Sequence, residues 1–178
     1  MVIDDTVAIG MIRSGTEDAF ASIIERYQMP IFRYLYRLTG NYQLAQDLAQ
    51  DTFVQAYESI LKTKADLQLK AWLYKIATNN AYKHFRRKKL IFFIDLDSSE
   101  DIPSLSEKDD PETIGDRVAM QEALKLVPLN ERCCIVLHIV DGLKYKEIAE
   151  TLGISEDAVR MRVARGKQII RKQFEKGG

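Results

Sequence analysis

Residues 141–160, DGLKYKEIAETLGISEDAVR, contain the signals for two helices and for the turn that joins them. Ile148 and Ala149 lie on the apolar face of a short helix. Gly153 is expected to end that helix, because glycine readily adopts the left-handed conformation of a helix C-terminus. Ser155 can accept hydrogen bonds from the first free amides of a second helix. The segment therefore predicts a helix-turn-helix pair.

The second helix of this pair combines a buried stripe with a basic one. Its apolar stripe consists of Val159, Val163, Gly166 and Ile170. A pair whose second helix carries cations outward is the architecture that places a helix in the major groove of DNA. The alternative is an ordinary helical hairpin with a solvated basic face. The candidates for DNA contact are Ser155, Glu156, Asp157, Arg160, Arg162, Arg165, Lys167 and Arg171.

The composition predicts a soluble, cytoplasmic protein. The chain has 178 residues, 46% of them hydrophobic, which allows one or two domains with modest cores. No apolar run approaches the length of a membrane span. The N-terminus lacks the basic start and apolar core of a signal peptide.

The charges are unevenly distributed along the chain. Residues 94–116 carry a net charge of −8, and each flank carries +4, so the total is zero. This acidic segment also contains two prolines, four serines and no helical periodicity, which is the composition of a linker. We therefore expect two domains, residues 1–93 and 117–178, joined by an acidic flexible linker.

Both flanks have helical periodicity and no strand signals, so the predicted fold class is all-α with two helical bundles. In the first flank, Thr16 is expected to cap one helix, and Pro30 to begin a second that Gly40 closes. Asn41 then caps a third helix, and a fourth spans about residues 68–89.

The second flank is expected to begin with a helix near residues 113–127 that ends at Pro128. Asn130 should cap another helix, which extends to about Val140 and precedes the helix-turn-helix pair.

The fourth helix has a second pattern typical of nucleic-acid binding. Residues 83–89 include five lysines or arginines in seven positions, and aromatic and amide side chains precede them at helical spacing. Unpaired bases stack on aromatic rings while cations hold the phosphates. The alternative is a core tryptophan beside a solvated basic end. The candidate residues are Trp72, Lys75, Asn79, Asn80, Tyr82, Lys83, Arg86 and Arg87.

The third helix has an acidic surface. Asp47 and Asp51 lie four residues apart on one face, where like charges weaken an isolated helix by roughly 0.2–0.5 kcal/mol. Gln50 and Glu58 extend this polar surface. A protein partner with a basic helix would explain it, and so would simple solvation.

Together these features resemble one family, the extracytoplasmic-function sigma factors of bacterial RNA polymerase, in the minimal form that has only the second and fourth conserved regions. The resemblance covers nearly the whole chain. Its motifs are GN…AQDLAQDTF at residues 40–53, WLYKIATNN at 72–80, LVPLNER at 126–132, and EIA through Arg165 at 147–165.

The resemblance implies partners. They are promoter DNA, the RNA polymerase core (through its β′ coiled coil and β flap) and an anti-sigma factor. The residues expected to dock on the β′ coiled coil are Asp47, Leu48, Gln50, Asp51 and Phe53.

The resemblance also implies how the DNA is contacted. Residues 72–87 would melt and bind the −10 element, with a flipped base near the loop 62–66, and the helix from Ser155 would bind the −35 element. The acidic linker would enter the active-site cleft of the polymerase. Asp157 and Ala158 depart from the usual glycine and threonine, which leaves the promoter sequence open.

Other classes fit less well. A helix-turn-helix regulator that acts without core polymerase would usually need a dimer face or a ligand pocket. An enzyme is disfavoured, because the chain has no phosphate-binding glycine loop and no HExxH motif. We expect no cofactor, metal or small-molecule substrate. Cys133 and Cys134 lack the spacing of a zinc or redox site and are expected to be buried thiols, although a redox switch stays open.

Overall fold

The computed structural model describes residues 4–16, 18–64, 66–91 and 111–176, and side chains are described for all of these except 89–91 and 111–114. Every regular element in this part of the chain is helical, as predicted. The α-helices are α1 (Asp5–Arg13), α2 (Ala19–Thr39), α3 (Tyr42–Ser59), α4 (Leu69–Ile91), α5 (Pro111–Leu126), α6 (Leu129–Ile135), α7 (Tyr145–Leu152) and α8 (Glu156–Lys176). A 3₁₀ turn, Ile60–Lys62, follows α3, and a π-helical segment, Val136–Val140, continues α6.

Helix α1 was not anticipated from the sequence. Asp4 caps it by accepting a hydrogen bond from the amide of Thr6 at 2.9 Å. Its buried face, Ala8, Ile9 and Ile12, packs against α2. The helix is only nine residues long, so its stability comes from this packing rather than from its own hydrogen bonds.

The predicted break at Pro30 is wrong, because α2 continues through that residue. A proline inside a helix removes one hydrogen bond and costs about 3 kcal/mol. Burial of the residues on both sides outweighs this cost, since each large apolar side chain removed from water contributes about 1.5–3 kcal/mol. Thr16 does not cap the helix either, because Asp18 occupies the N-cap position. The prediction for Gly40 is confirmed: its φ is 66° and its amide donates to the carbonyl of Tyr36.

Helices α2, α3 and α4 pack together into the N-terminal bundle. Asn41 caps α3 as predicted, since its side chain accepts from the amide of Leu44 at 2.7 Å. The rings of Tyr34 and Tyr74 meet edge to face, with centroids 5.1 Å apart, and the Tyr34 hydroxyl lies 2.8 Å from that of Thr78. These contacts join α2 and α4 at the centre of the core.

The C-terminal bundle differs from the expectation in two details. Helix α5 begins at Pro111, within the segment predicted as linker, whereas residues 94–110 lie outside the described part of the chain. Asn130 does not cap α6, because Pro128 occupies the N-cap position and no side chain bonds there. The helix does extend to Val140, as predicted, through its π-helical segment.

The helix-turn-helix pair forms as expected. Gly153 ends α7 with a left-handed conformation, φ 67° and ψ 38°. The hydroxyl oxygen of Ser155 accepts a hydrogen bond from the amide of Ala158 at 3.1 Å. Val159 and Val163 are buried between α8 and the helices beneath it, α6 and α7. Among the described residues, no helix is both long and apolar enough to span a membrane.

Candidate nucleic-acid and protein interfaces

The outward faces of α8 carry the predicted basic residues. Four of these cations are exposed, whereas Arg162 is half-buried and lies beside Cys134 and Tyr82. In the apolar stripe beneath them, Val159, Val163 and Gly166 are buried and Ile170 is half-buried, so the helix is packed firmly on its bundle. The four exposed cations are Arg160, Arg165, Lys167 and Arg171.

The first turn of α8 pairs its own charges. Arg160 forms an ion pair with Asp157 at 2.5 Å and a longer one with Glu156 at 3.6 Å. Its guanidinium also lies 6.0 Å from the centre of the Tyr145 ring. All of these ion-pair groups are more than half exposed, and such pairs contribute little stability. Arg160 is therefore held only by weak, exposed contacts within its own part of the chain.

Close packing of α8 on α6 explains the glycine in the apolar stripe. A Cβ atom built on Gly166 would lie 2.1 Å from Cδ1 and 3.1 Å from Cγ1 of Ile135, and 3.4 Å from a methyl group of Val127. The helix can approach this closely only because residue 166 has no side chain. The absence of a side chain at residue 166 therefore determines how closely α8 packs on α6.

Helix α4 divides the predicted DNA-binding set into three groups. Trp72 is half-buried against the core. Tyr82 is half-buried near Cys133, and its burial raises the pKa of its hydroxyl. Asn80 is buried and joins helices, because it accepts from Gln55 at 3.1 Å and donates to Thr52 at 3.3 Å. The members that are exposed on one side of the helix are Lys75, Asn79, Lys83, Arg86 and Arg87.

Asn80, one of the candidates for DNA contact, therefore lies off the exposed face of α4. The list of candidates did not distinguish it from its neighbour Asn79. Burial decides this, because an amide in a helical core must find partners for both its oxygen and its nitrogen. The exposed member of the pair is Asn79.

Helix α3 combines an acidic surface with an apolar groove. Asp47, Gln50 and Asp51 are exposed, whereas Leu48 and Phe53 are buried and belong to the core. Of the five residues in the segment expected to dock on a partner, three therefore have exposed side chains. Phe53 still lines one wall of the groove between α2 and α3.

The groove between α2 and α3 has a volume of about 1220 Å³. Its floor is apolar, and Met29, Val54 and Tyr57 each expose about half of their surface there. Asp47 and Gln50 lie on its rim. The sequence analysis missed these exposed apolar residues, because single hydrophobic side chains on a helix surface are common and carry no signal alone. An apolar groove with acidic edges fits an amphipathic basic helix.

The two adjacent cysteines are buried free thiols, as predicted. Burial raises the pKa of Cys133 to about 11, so the thiol is neutral near pH 7. Cys134 contacts Arg162 and its pKa is also raised by burial. Within the described ranges, no group of histidine, cysteine or carboxylate side chains could hold a metal ion.

These observations define a class of protein: an all-helical protein with a helix-turn-helix, a second basic helix and an apolar groove with acidic edges. Family models identify it further. The model for Sigma-70 region 2 matches residues 23–91, and the model for Sigma-70 region 4 matches residues 117–170.

Individual relatives agree with the family models. The ECF RNA polymerase sigma factor SigW of Bacillus subtilis is 31% identical over 176 residues, which cover 93% of this chain and 94% of the relative. The RNA polymerase sigma factor YlaC of the same bacterium is 30% identical over 164 residues, covering 89% and 94%. The solved structure of CnrH in complex with the cytosolic domain of CnrY has the same fold, with a TM-score of 0.75 at 20% identity, over 98% of this chain and 99% of that one.

The chain belongs to the extracytoplasmic-function sigma factors of RNA polymerase. It is a transcription initiation factor that binds RNA polymerase core and promoter DNA and directs the polymerase to promoters. Sigma factors are known as non-enzymatic transcription factors.

Proposed function

We propose that this sigma factor divides promoter recognition among three surfaces. The acidic rim and groove of α3 bind the β′ coiled coil of the polymerase, the exposed face of α4 binds and helps to melt the −10 element, and α8 binds the −35 element. The protein acts in the cytoplasm, where polymerase and DNA are found. It is predicted to do so without a cofactor or small-molecule substrate.

The groove supports the first assignment. An amphipathic helix placed there would cover Met29, Val54 and Tyr57, which together form the exposed apolar floor. Asp47 on the rim would attract cations of the incoming helix before contact, since opposite charges accelerate and orient association. Asp51 extends the acidic surface by one helical turn.

The exposed face of α4 supports the second assignment. Asn79 and Lys75 lie one turn apart, and Lys83, Arg86 and Arg87 continue the same basic end. Stacking on an aromatic side chain contributes roughly 1–3 kcal/mol per base and needs an unstacked base. Trp72 and Tyr82 should therefore contribute after melting, not during the first contact with duplex DNA.

The placement of cations on α8 supports the third assignment and is the observation on which the whole proposal depends most. The part of the helix near its N-terminus is the part that enters a major groove. Arg160 is in that position, whereas Lys167 and Arg171 lie two and three turns further along, where phosphates are nearer. The helix thus separates a base-contacting end from a phosphate-contacting end.

An anti-sigma factor is the further partner that we propose. The solved structures with this fold include RpoE with the anti-sigma factor NepR from Bartonella quintana. We propose that a protein of that kind holds this chain inactive until a signal releases it.

The experiment that tests the function is reconstitution with core polymerase. Purified sigma factor and core are mixed, transcripts are generated on genomic DNA, and their start sites are sequenced. Shared −35 and −10 sequences upstream of these sites are expected. A helix-turn-helix regulator that acts without core would bind DNA but would give no such transcripts.

Core binding is tested with Asp47→Lys and Asp51→Lys. Each reversal should weaken the affinity for core about tenfold or more, which is ~1.4 kcal/mol, because like charges across an interface repel. Glu25→Lys is the matched control, since Glu25 is exposed on α2 outside the groove. Helicity is checked by circular dichroism, and an unchanged affinity in both α3 variants would remove the docking assignment.

A further inference from the structure

Three side chains from successive elements of the C-terminal bundle contact one another in a row. His138 belongs to the π-helical segment after α6, Tyr145 is the first residue of α7, and Arg160 lies near the start of α8. The ring centroids of His138 and Tyr145 are 4.6 Å apart, with their planes inclined by 49°. The guanidinium of Arg160 lies over the Tyr145 ring, 6.0 Å from its centre. The tyrosine ring therefore links an imidazole to the arginine that is proposed to contact a base.

Local hydrogen bonds fix the backbone that leads into Tyr145. The amide of Leu143 donates to the carbonyl of Leu137 at 2.9 Å, and its own carbonyl lies 2.9 Å from Nδ1 of His138. Because a carbonyl oxygen only accepts, Nδ1 of this histidine carries the hydrogen. The chain reverses between these residues through the π-helical turn and through Gly142, whose φ is 70°. Both polar backbone groups of a buried residue are thus held two positions before the tyrosine.

The beginning of α7 is also fixed from within the helix. The carboxylate of Glu147 accepts a hydrogen bond from the amide of Lys144 at 2.6 Å, which is the bond that a capping box contributes. Tyr145 follows directly and is half-buried against the core. A tyrosine has few rotatable bonds, so a fixed backbone and a packed ring leave its orientation little freedom. The ring is therefore a rigid surface beside α8.

The two kinds of partner that hold Arg160 differ in what they leave available. The carboxylates of Glu156 and Asp157 occupy N–H groups of the guanidinium and must be released before the same groups bind a base. An aromatic ring attracts the charge of the cation through its face and needs none of those N–H groups. A bidentate contact to guanine needs two of them. The contact with Tyr145 can therefore persist while Arg160 binds DNA, whereas the ion pairs cannot.

We propose that Tyr145 is a positioning residue for Arg160: its ring, supported by His138, restrains the guanidinium where it contacts a base of the −35 element, and it thereby adds to base preference. The proposal rests on the function proposed above, because it requires Arg160 to contact a base. Attraction between a cation and a ring at an exposed site corresponds to an effect of about twofold to fivefold.

The test uses holoenzyme reconstituted from core polymerase and each full-length sigma variant. It transcribes a pool of promoters in which the −35 element is randomised and the −10 element is constant. Sequencing of the transcripts against the input templates gives the preference for each base at each position, and the total transcript gives overall activity. Tyr145→Leu should lower preference about twofold to fivefold at the positions where Arg160→Ala relaxes it, and at no others. Tyr145→Phe keeps the ring and should keep the preference.

A double variant shows whether Tyr145 acts through Arg160. In the Arg160→Ala background, Tyr145→Leu should cause no further loss of base preference, because the effects of residues that act through one another do not add. His138→Ala removes only the support of the ring and should lower the same preference by a smaller factor. Phe174→Leu is the matched control, since it replaces an exposed aromatic ring at the far end of α8 and should leave every preference unchanged.

Circular dichroism checks the fold of each variant, and His138→Ala carries the test if Tyr145→Leu loses helicity. A loss of activity at all sequences with unchanged base preference would make the ring merely structural and overturn the proposal. A large loss of activity in Tyr145→Phe would assign the DNA contact to the hydroxyl instead. A further loss of preference in the Arg160→Ala background would show that Tyr145 does not act through this arginine. Failure of the proposed function would appear separately, as wild-type holoenzyme without promoter-directed transcripts or as Arg160→Ala without relaxed preference.

Discussion

Replacing Gly166 by alanine tests how α8 is seated on its bundle. The added methyl group would lie 2.1 Å from Cδ1 of Ile135, a distance at which one of the atoms must move. Ile135 is itself buried, with 3% of its surface exposed, so its side chain must repack within the core to make room. Overpacking of this kind costs about 1–3 kcal/mol.

The substitution also brings a gain, because alanine favours a helix over glycine by roughly 0.8–1 kcal/mol. The two effects oppose each other, so the net loss of stability at position 166 is about 0–2 kcal/mol. A substitution at Gly10 of α1 allows the gain in helix propensity to be measured without the overpacking. No atom lies within 4 Å of a Cβ built there, so Gly10→Ala should show the helical gain alone.

Urea unfolding followed by circular dichroism measures both variants. The difference between the free energies of unfolding of Gly10→Ala and Gly166→Ala should be about 1–3 kcal/mol, with Gly10→Ala the more stable. Gly166→Ala should also weaken binding to −35 duplex DNA, because α8 must shift on its support. Equal stabilisation by the two alanines would refute the close-approach argument.

Three further predictions concern a cap, a recognition helix and a buried thiol. Asn41→Ala should lower the free energy of unfolding, measured by urea titration, by about 0.5–2 kcal/mol because it removes the side-chain cap of α3. Asn130→Ala, at an exposed site that caps no helix, should change the same free energy by less than about 0.5 kcal/mol. Arg160→Ala should relax base preference at one or two −35 positions by about 1–3 kcal/mol, whereas Arg171→Ala should weaken binding to all sequences alike and flatten the salt dependence. Binding to a library of −35 duplexes at two salt concentrations distinguishes the two variants, and a uniform loss for Arg160→Ala would contradict the base contact. The pKa of Cys133 is raised to about 11 in the folded protein, so the thiol of the unfolded chain ionises first as the pH rises above its ordinary pKa of 9.0. The free energy of unfolding should therefore fall by about 1.4 kcal/mol between pH 9 and pH 10. Cys133→Ser should show a smaller loss between pH 8 and pH 10, and an identical pH dependence would contradict the burial of this thiol.

The packing of the cysteine pair does not require redox chemistry. Cys133 is buried beside Tyr34 of α2 and Tyr82 of α4, whereas Cys134 lies beside Arg162 of α8. A larger side chain at position 133 should therefore disturb the packing of α6 on α2 and α4, whereas one at position 134 should disturb the packing of α6 on α8.

The sequence alone determined the local features of this protein. Gly153 and Ser155 specified the turn of the helix-turn-helix, and Asn41 and Gly40 specified the boundary between α2 and α3. Each of these signals works within one helical turn, since a cap bonds to amides or carbonyls only a few residues away. Periodicity likewise predicted that Val159 and its stripe are buried, because residues three and four apart share a helix face.

Only the tertiary structure determined which helix packs against each face of another helix. Both Asn79 and Asn80 were candidates for DNA contact from the sequence, but packing of α3 on α4 makes Asn80 an interhelical partner and leaves Asn79 exposed. A sequence pattern indicates which side chains lie on the same face of a helix. Contacts between segments far apart in the chain determine which residues pack against that face.

The continuity of α2 through Pro30 has the same origin. The local rule for proline predicts a break, and the buried residues on either side override it through contacts with α3 and α4 that the local sequence does not contain. The hydrogen bonds of Gln121 and Arg132 to the end of α2 join residues more than 80 positions apart. Such contacts have no periodic signal in the sequence, because they depend on how two complete bundles pack together.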